Sequence, residues 1–464
     1  MRVSLKQLTL LFLLATLTNL LHAQSKQVLI DSLIRKAHRL GLFNGNLLVV
    51  ESGCEIYRKS IGYADAARKT KLTDKYRFHI GSIAKEFNAV GIMMLKEQGK
   101  LSLDDKVSQY LPQLPEWAGT IRIKNLLQYA SGLPDLNWRN ITGDAAAIDS
   151  LKKVTRLDFE PGTRYAYNNS NILIQRQIIE KITGLGFNDF VQRHMLKPLA
   201  MRASVIDPDE SAPLFAQSFN DSYVYSPAKL PISGWTAVTL DDFYKWEMAL
   251  QQFRLINPAS TLDILTPFSY GKQCGLGGGK MEDNKLVAHI HDGTAYNYQA
   301  LLSSSSSQKR VVILMTNNKQ NNLYDINNAI QNILDGKPYD PPKKSTLQAL
   351  QSLLDTASGS QILAAYEALK KKAGADYDAD REPALNSVGY TLLGKKRLDA
   401  AIAVFEYNTK LFPQSGNVFD SLGEAYYIKG DKEKSLLNYQ IALRLDPQNE
   451  GAKEKIKELQ AGGK

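Results

Sequence analysis

Apolar residues recur at helical spacing in three places along the first half of the chain. Ile30, Leu33, Ile34, Ala37 and Leu40 do so between Gln24 and about Leu42, and Ala84, Phe87, Val90, Gly91, Met94 and Leu95 trace one face after the segment GSIAKEF. A third apolar run extends from about Ser170 to Ile182 and stops at Thr183-Gly184. Between the first two, GNLLVVESGCEIYRKSIGYAD predicts two short strands around a Ser-Gly turn. Further on, LVAHIHDG, QALLSSSSS and KRVVILMTNN predict successive strands, with the run Ser303 to Ser307 as a hairpin tip. Helices mixed with terminal strands predict an α+β domain, a sheet covered by helices.

The pattern changes after Pro338, Pro341 and Pro342, which with Lys343 and Lys344 mark a linker over 337–344. Beyond it a period of 34 residues relates Gly389 to Gly423 and Pro413 to Pro447, and aligns Phe405 with Tyr439 and Ala401 with Ser435. That period and its small, aromatic and proline positions resemble the tetratricopeptide repeat, a helix pair that buries its face by stacking on its neighbours. Two repeats are too few to stand alone, and LQALQSLLD and GSQILAAYEALKKK supply further helices before them. Residues 345–464 are therefore expected to form an all-α tail. Such repeats either bind a protein or peptide partner or pack within their own protein.

A chain of 464 residues is too long for one ordinary core and suggests two domains. With 44% hydrophobic and 22% charged residues, it has the balance of folded globular protein and not of a disordered one. Its first residues carry Arg2 and Lys6, an apolar stretch from Leu8 to Leu21 and a small residue at Ala23, the pattern of a cleavable secretory signal over 1–23. A periplasmic or secreted protein with no transmembrane anchor after cleavage is expected. Cys54 and Cys274 allow at most one disulfide, which excludes a disulfide-built scaffold. The formal charge of +10 falls to +8 without Arg2 and Lys6, and no basic block is interleaved with aromatics, so nucleic acid is not an expected partner.

Ser-x-x-Lys occurs five times, at Ser82, Ser150, Ser226, Ser269 and Ser306. A serine hydroxyl needs a base to become a nucleophile, and a lysine three residues on shares its face of a helix. The serine should also stand at the helix start, where free N–H groups favour developing negative charge. Only Ser82, after the strand-like YRFHI and before an apolar helix, has those surroundings. Ser226 precedes a proline, Ser269 sits in a Tyr-Gly loop, Ser306 lies in the serine run, and Ser150 belongs to a solvated face.

Two motifs follow in order: Tyr167-x-Asn169 in FEPGTRYAYNNSN, and His291-x-Gly293 in HIHDGT. The ordered set resembles the serine β-lactamase and penicillin-binding-protein superfamily, most closely its class C β-lactamase-like branch, over roughly Gln24 to Gly336. LLQYASGLP, Pro161-Gly162 and KPLAMRAS support the resemblance. It implies an antiparallel sheet covered by helices plus a helical region, within 24–336, acting without cofactor or metal on a small-molecule or peptide substrate. Ser82 would be the acylated nucleophile, Lys85 its activating partner and Tyr167 a proton shuttle. Asn169 would hold the substrate amide, and His291, where β-lactamases usually have lysine, would orient a substrate carboxylate or the tyrosine. The backbone N–H groups of Ser82 and Thr294, the latter following Gly293, would form the oxyanion hole.

Two departures bear on the substrate. Tyr129-Ala130-Ser131-Gly132 stands where the family often has His-Thr-Ser-Gly, and Thr294-Ala295-Tyr296-Asn297 replaces a glycine-rich run. They leave esters, D-amino-acid peptides or amides, and β-lactams as candidate substrates, with β-lactams ranked last. The rival from another class is a non-catalytic protein that captures cell-wall peptide while its tail recruits a partner. His289 and His291 beside Asp292 have no companion histidines spaced to complete a zinc site. No Gly-x-Ser-x-Gly elbow surrounds Ser82, because position 80 is isoleucine.

Overall fold

The computed structural model describes residues 26–320 and 322–461, so the expected signal over 1–23 lies outside the described residues. The chain divides into two compact units, one ending at Pro341 and the other beginning at Pro342.

In the first unit the strands are β1 (Gly45–Glu51), β2 (Cys54–Ile61), β3 (Phe78–His79), β4 (Val205–Ile206), β5 (Thr236–Val238), β6 (Gly278–Glu282), β7 (Lys285–Ala295), β8 (Tyr298–Ser305) and β9 (Arg310–Thr316). Six of them form an antiparallel sheet in the order β2-β1-β9-β8-β7-β6, and a small sheet has the order β3-β5-β4. Both faces of the large sheet are covered, which is why β1 and β9 read as unbroken apolar runs instead of alternating ones. Leu47, Val49, Leu301, Val312 and Leu314 pack on one side against the helix 26–39 and the helix Leu323–Leu334. Leu48, Val50, Leu302, Val311 and Ile313 pack on the other, in the core that also takes Phe87, Phe243 and Trp246.

The Ser-Gly turn joins β1 to β2 with positive φ at both Ser52 and Gly53, the handedness that matches strand twist in a two-residue hairpin. The apolar run after Asn168 forms the helix Asn169–Thr183 and ends at Gly184 in the left-handed conformation. One expectation is corrected. Ser303 to Ser305 belong to β8, and only Ser306 and Ser307 lie in the turn, because Ser304 is buried and donates to Glu247. Cys54 is exposed, Cys274 is buried and both are free thiols.

All four tryptophans, Trp117, Trp138, Trp235 and Trp246, belong to the first unit, so their emission reports its unfolding alone. Leu314 is fully buried at the centre of the sheet. Leu314→Ala is expected to cost about 2–5 kcal/mol, seen as a lower urea midpoint in tryptophan fluorescence at unchanged slope.

The second unit contains the helix Gly359–Ala373 and the consecutive helices Glu382–Gly394, Leu398–Leu411, Gly416–Lys429, Lys432–Leu445 and Glu450–Ala461. Residues related by the period do the same work. A Cβ on Gly389 would stand 2.5 Å from the Phe405 ring, and one on Gly423 would stand 3.1 Å from the Tyr439 ring.

Candidate active site

Ser82 sits between the small sheet and the Lys85–Glu97 helix. β3 pairs with β5, the Ile80 N–H donates to the Thr236 carbonyl, and the chain bends at Gly81, φ 55°, into a 3-10 turn over Gly81–Ala84. Gly81 has a steric reason beyond its φ: a Cβ there would lie 2.4 Å from the backbone nitrogen of Thr294. From the facing side, a Cβ on Gly293 of β7 would lie 1.9 Å from the Ile80 carbonyl oxygen and 2.7 Å from the Ser82 nitrogen. Two residues without side chains thus let the turn rest directly on β7, and the backbone nitrogens of Ser82 and Thr294 both lie at that contact.

The first turn of the following helix brings Lys85 back over the serine, and its Nζ donates to Ser82 Oγ at 2.8 Å. Lys85 is buried, with its ammonium 4.9 Å from the centre of the Trp235 ring and 5.1 Å from that of Tyr167. Asn169 opens its helix just after Asn168, whose side chain caps the helix by accepting from the Asn171 N–H. Asn169 lines a recess together with Lys85, Asn88, Ile172 and Trp235. Tyr167 is exposed and turns its ring, not its hydroxyl, to Lys85. No hydrogen bond joins that hydroxyl to Ser82, Lys85 or His291 among the described residues. Beneath it lies the buried Tyr129, ring centroids 4.5 Å apart, whose hydroxyl is pushed well above its ordinary pKa by burial and by the neighbouring tyrosines.

His291 is brought to the same strand face as Gly293, but its ring is buried and engaged. Nδ1 lies 2.6 Å from Glu86 Oε1. His289, wholly buried, stands between two carboxylates, with Nδ1 2.7 Å from Glu247 Oε2 and Nε2 3.1 Å from Glu86 Oε1. Trp246 Nε1–H donates to Glu86 Oε2 at 2.6 Å, and the Ser304 hydroxyl and Gln251 amide donate to Glu247 Oε1 at 2.5 and 2.8 Å. Burial works against the charged His289 ring, yet Glu247 and Glu86 outweigh it and hold its pKa well above the usual histidine range. Burial likewise pushes the Glu86 carboxyl up, but the His289 charge and the hydrogen bonds from both histidines win and leave it at about 2. Sequence reasoning missed Glu86, Glu247 and Trp246. A signal existed: Glu86 is an acidic residue in KEFNAVGIMML, a stretch apolar on nearly every side.

Glu86, His289 and His291 are also the described side chains whose chemistry resembles a metal-ligand set. Their facing atoms are 2.6 and 3.1 Å apart, closer than the roughly 3.3 Å that separates donors around a tetrahedral ion with bonds near 2.0 Å. These are hydrogen-bond distances, and the trio is a proton-linked network.

The beta-lactamase family model matches residues 29–335 of this chain. Penicillin-binding protein 4* of Bacillus subtilis is 27% identical over 382 residues, 74% of this chain and 83% of that protein. The putative penicillin-binding protein PbpX of the same organism is 30% identical over 239 residues, 49% of this chain and only 60% of that protein's length. Among solved structures, a class C beta-lactamase superposes with a TM-score of 0.57 at 19% identity, covering 68% of this chain and 97% of the other, a likeness of fold. No helix among the described residues is long and apolar enough to cross a membrane.

Proposed function

The chain belongs to the beta-lactamase family, and from that premise we propose that it is an exported serine hydrolase working through an acyl-enzyme on Ser82. The observation that carries this is the 2.8 Å contact between Lys85 Nζ and Ser82 Oγ, on a turn seated against β7. With Lys85 as the free amine, Ser82 Oγ attacks a carbonyl carbon as its proton passes to the Lys85 nitrogen, and the negative charge on the carbonyl oxygen falls to the Ser82 and Thr294 N–H groups. The C–O or C–N bond of the substrate then breaks, the leaving group takes a proton through Lys85 or Tyr167, and water releases the acyl group by the reverse path. Asn169 holds the substrate amide. Tyr167 reaches this role by turning its hydroxyl toward Lys85, a side-chain rotation that its exposure permits.

Carboxylic esters and D-amino-acid peptides or amides are the substrates this reading favours over β-lactams, since His291 is committed to Glu86 and offers no lysine-like anchor for a carboxylate. The helix pairs after Pro342 are read as tetratricopeptide-type repeats, a surface for a protein or peptide partner. The 1–23 segment is read as the signal that exports the chain. Intact-mass measurement after incubation with a chromogenic ester or a penicillin tests the acyl-enzyme. A single added acyl group that maps to the Ser82 peptide is the expected result. A chain that binds ligand without gaining mass, under conditions from rapid quench to hours, would favour the non-catalytic peptide-capturing alternative.

A further inference from the structure

We propose that Glu86 is a positioning residue that holds His291 in one orientation and one tautomer, leaving Nε2 as the ring atom that serves the reaction at Ser82. The inference rests on the acyl-transfer reading above. Three donors from different parts of the fold occupy Glu86: Trp246 on Oε2, and His289 and His291 together on Oε1. A carboxylate filled in this way has no freedom to rotate, and it can only accept. The His291 nitrogen that faces it, Nδ1, must therefore carry the hydrogen. Turning the ring over would replace that 2.6 Å contact with a carbon and leave Glu86 short of a donor.

The space around the ring supports the same orientation. A Cβ on Gly277 would come within 2.4 Å of the His291 ring, so the turn over that residue closes one side of it. Nε2 makes no hydrogen bond among the described residues. His291 also shares its strand face with Gly293, which touches the Ser82 backbone. The arrangement is that of a carboxylate-oriented imidazole, in which the partner fixes the tautomer and supports the charge that forms on the ring.

The charge behind the ring is set by a second layer. His289 faces a carboxylate at each nitrogen and so is held as a cation. With Glu86 and Glu247 as anions, one negative charge remains next to His291. Asp292, the strand neighbour, is engaged by the Tyr324 hydroxyl. The Cys274 thiol, whose Sγ lies against the Gly277 carbonyl, is pushed up to about 11 by burial and stays uncharged. Glu86 is thus the anion that faces the ring at Nδ1.

The test uses the full chain with 15N-labelled histidine, reading ring nitrogens by long-range 1H–15N spectra from pH 5 to 9, with His291→Asn and His289→Asn to assign the signals. In the wild type, His291 should carry its hydrogen on Nδ1, and His289 should show hydrogens on both nitrogens throughout. In Glu86→Gln, whose amide can donate as well as accept, the His291 hydrogen should no longer be confined to Nδ1. kcat/KM for a chromogenic ester should fall about 10- to 100-fold with KM little changed, and Glu86→Asp should recover part of the loss. Hydrogen on Nε2 of neutral wild-type His291, or a tautomer indifferent to Glu86→Gln, would overturn the proposal. Should Glu86→Gln fail to fold, the wild-type spectrum alone still decides the tautomer. The expected tautomer in a protein that never acylates would remove the acyl-transfer reading and leave the Glu86–His291 pairing in place.

Discussion

Ser82→Ala is expected to lower kcat/KM for a chromogenic short-chain ester by about 10⁴- to 10⁶-fold, the scale on which a serine nucleophile matters when the rest of the site is kept. The loss is large because the hydroxyl forms the bond to the acyl group, whereas the amides of Ser82 and Thr294 survive the substitution and continue to bind. The fold should survive as well. Removing Oγ deprives Lys85 of its side-chain hydrogen bond to Ser82, at a cost of about 1–3 kcal/mol, while the Trp235 and Tyr167 rings beside Nζ remain. Tryptophan emission and melting should accordingly show a folded first unit with a slightly lower midpoint. Ser150→Ala is the matched control, since Ser150 belongs to another Ser-x-x-Lys and its hydroxyl donates to the Ala146 carbonyl of its own helix. Equal rates in wild type and Ser82→Ala would remove Ser82 from the mechanism.

What could be read before the fold was known divides along physical lines. Spacings within one turn of helix or one strand are local, so Ser82 with Lys85 and the hairpin at Ser52-Gly53 followed from neighbouring residues alone. The sheet covered by helices followed from apolar runs. Side-chain commitments across the fold were not legible. His289 and Glu86 are 203 positions apart and meet only because β7 packs beside the Lys85–Glu97 helix. The serine run misled for the same reason. Five serines in a row look like a turn, but Ser304 is drawn into β8 by a buried Glu247 that its own neighbours do not predict. Tyr167 stands between the two cases: its order in the chain placed it near Lys85, while the direction of its hydroxyl depends on how it stacks on Tyr129.

The oxyanion-hole assignment makes the other large prediction, because it depends on backbone alone. Gly293→Ala is expected to lower kcat for the same ester by about 10²- to 10³-fold, the range for removing one oxyanion donor. The added Cβ would meet the Ile80 carbonyl oxygen at 1.9 Å and the Ser82 nitrogen at 2.7 Å, and neither is a flexible side chain that can move aside. Either β7 or the Gly81–Ala84 turn must shift, and both Ser82 and Thr294 N–H groups lie at that contact. Lys85 and Ser82 belong to the same turn and helix start and can move together, so their 2.8 Å contact should persist. A residual acylation rate with normal active-site titration by a reactive ester is therefore the expected signature, with kcat falling far more than KM rises. Gly186→Ala is the control, at φ −60° and with nothing within 4 Å of the new methyl, and should change neither rate nor stability. A Gly293→Ala protein with wild-type kcat would show that the contact between β7 and the nucleophile turn does not form the oxyanion site, and the negative charge would then have to be met by side chains, with the Asn88 and Asn169 amides as candidates in the recess beside Lys85.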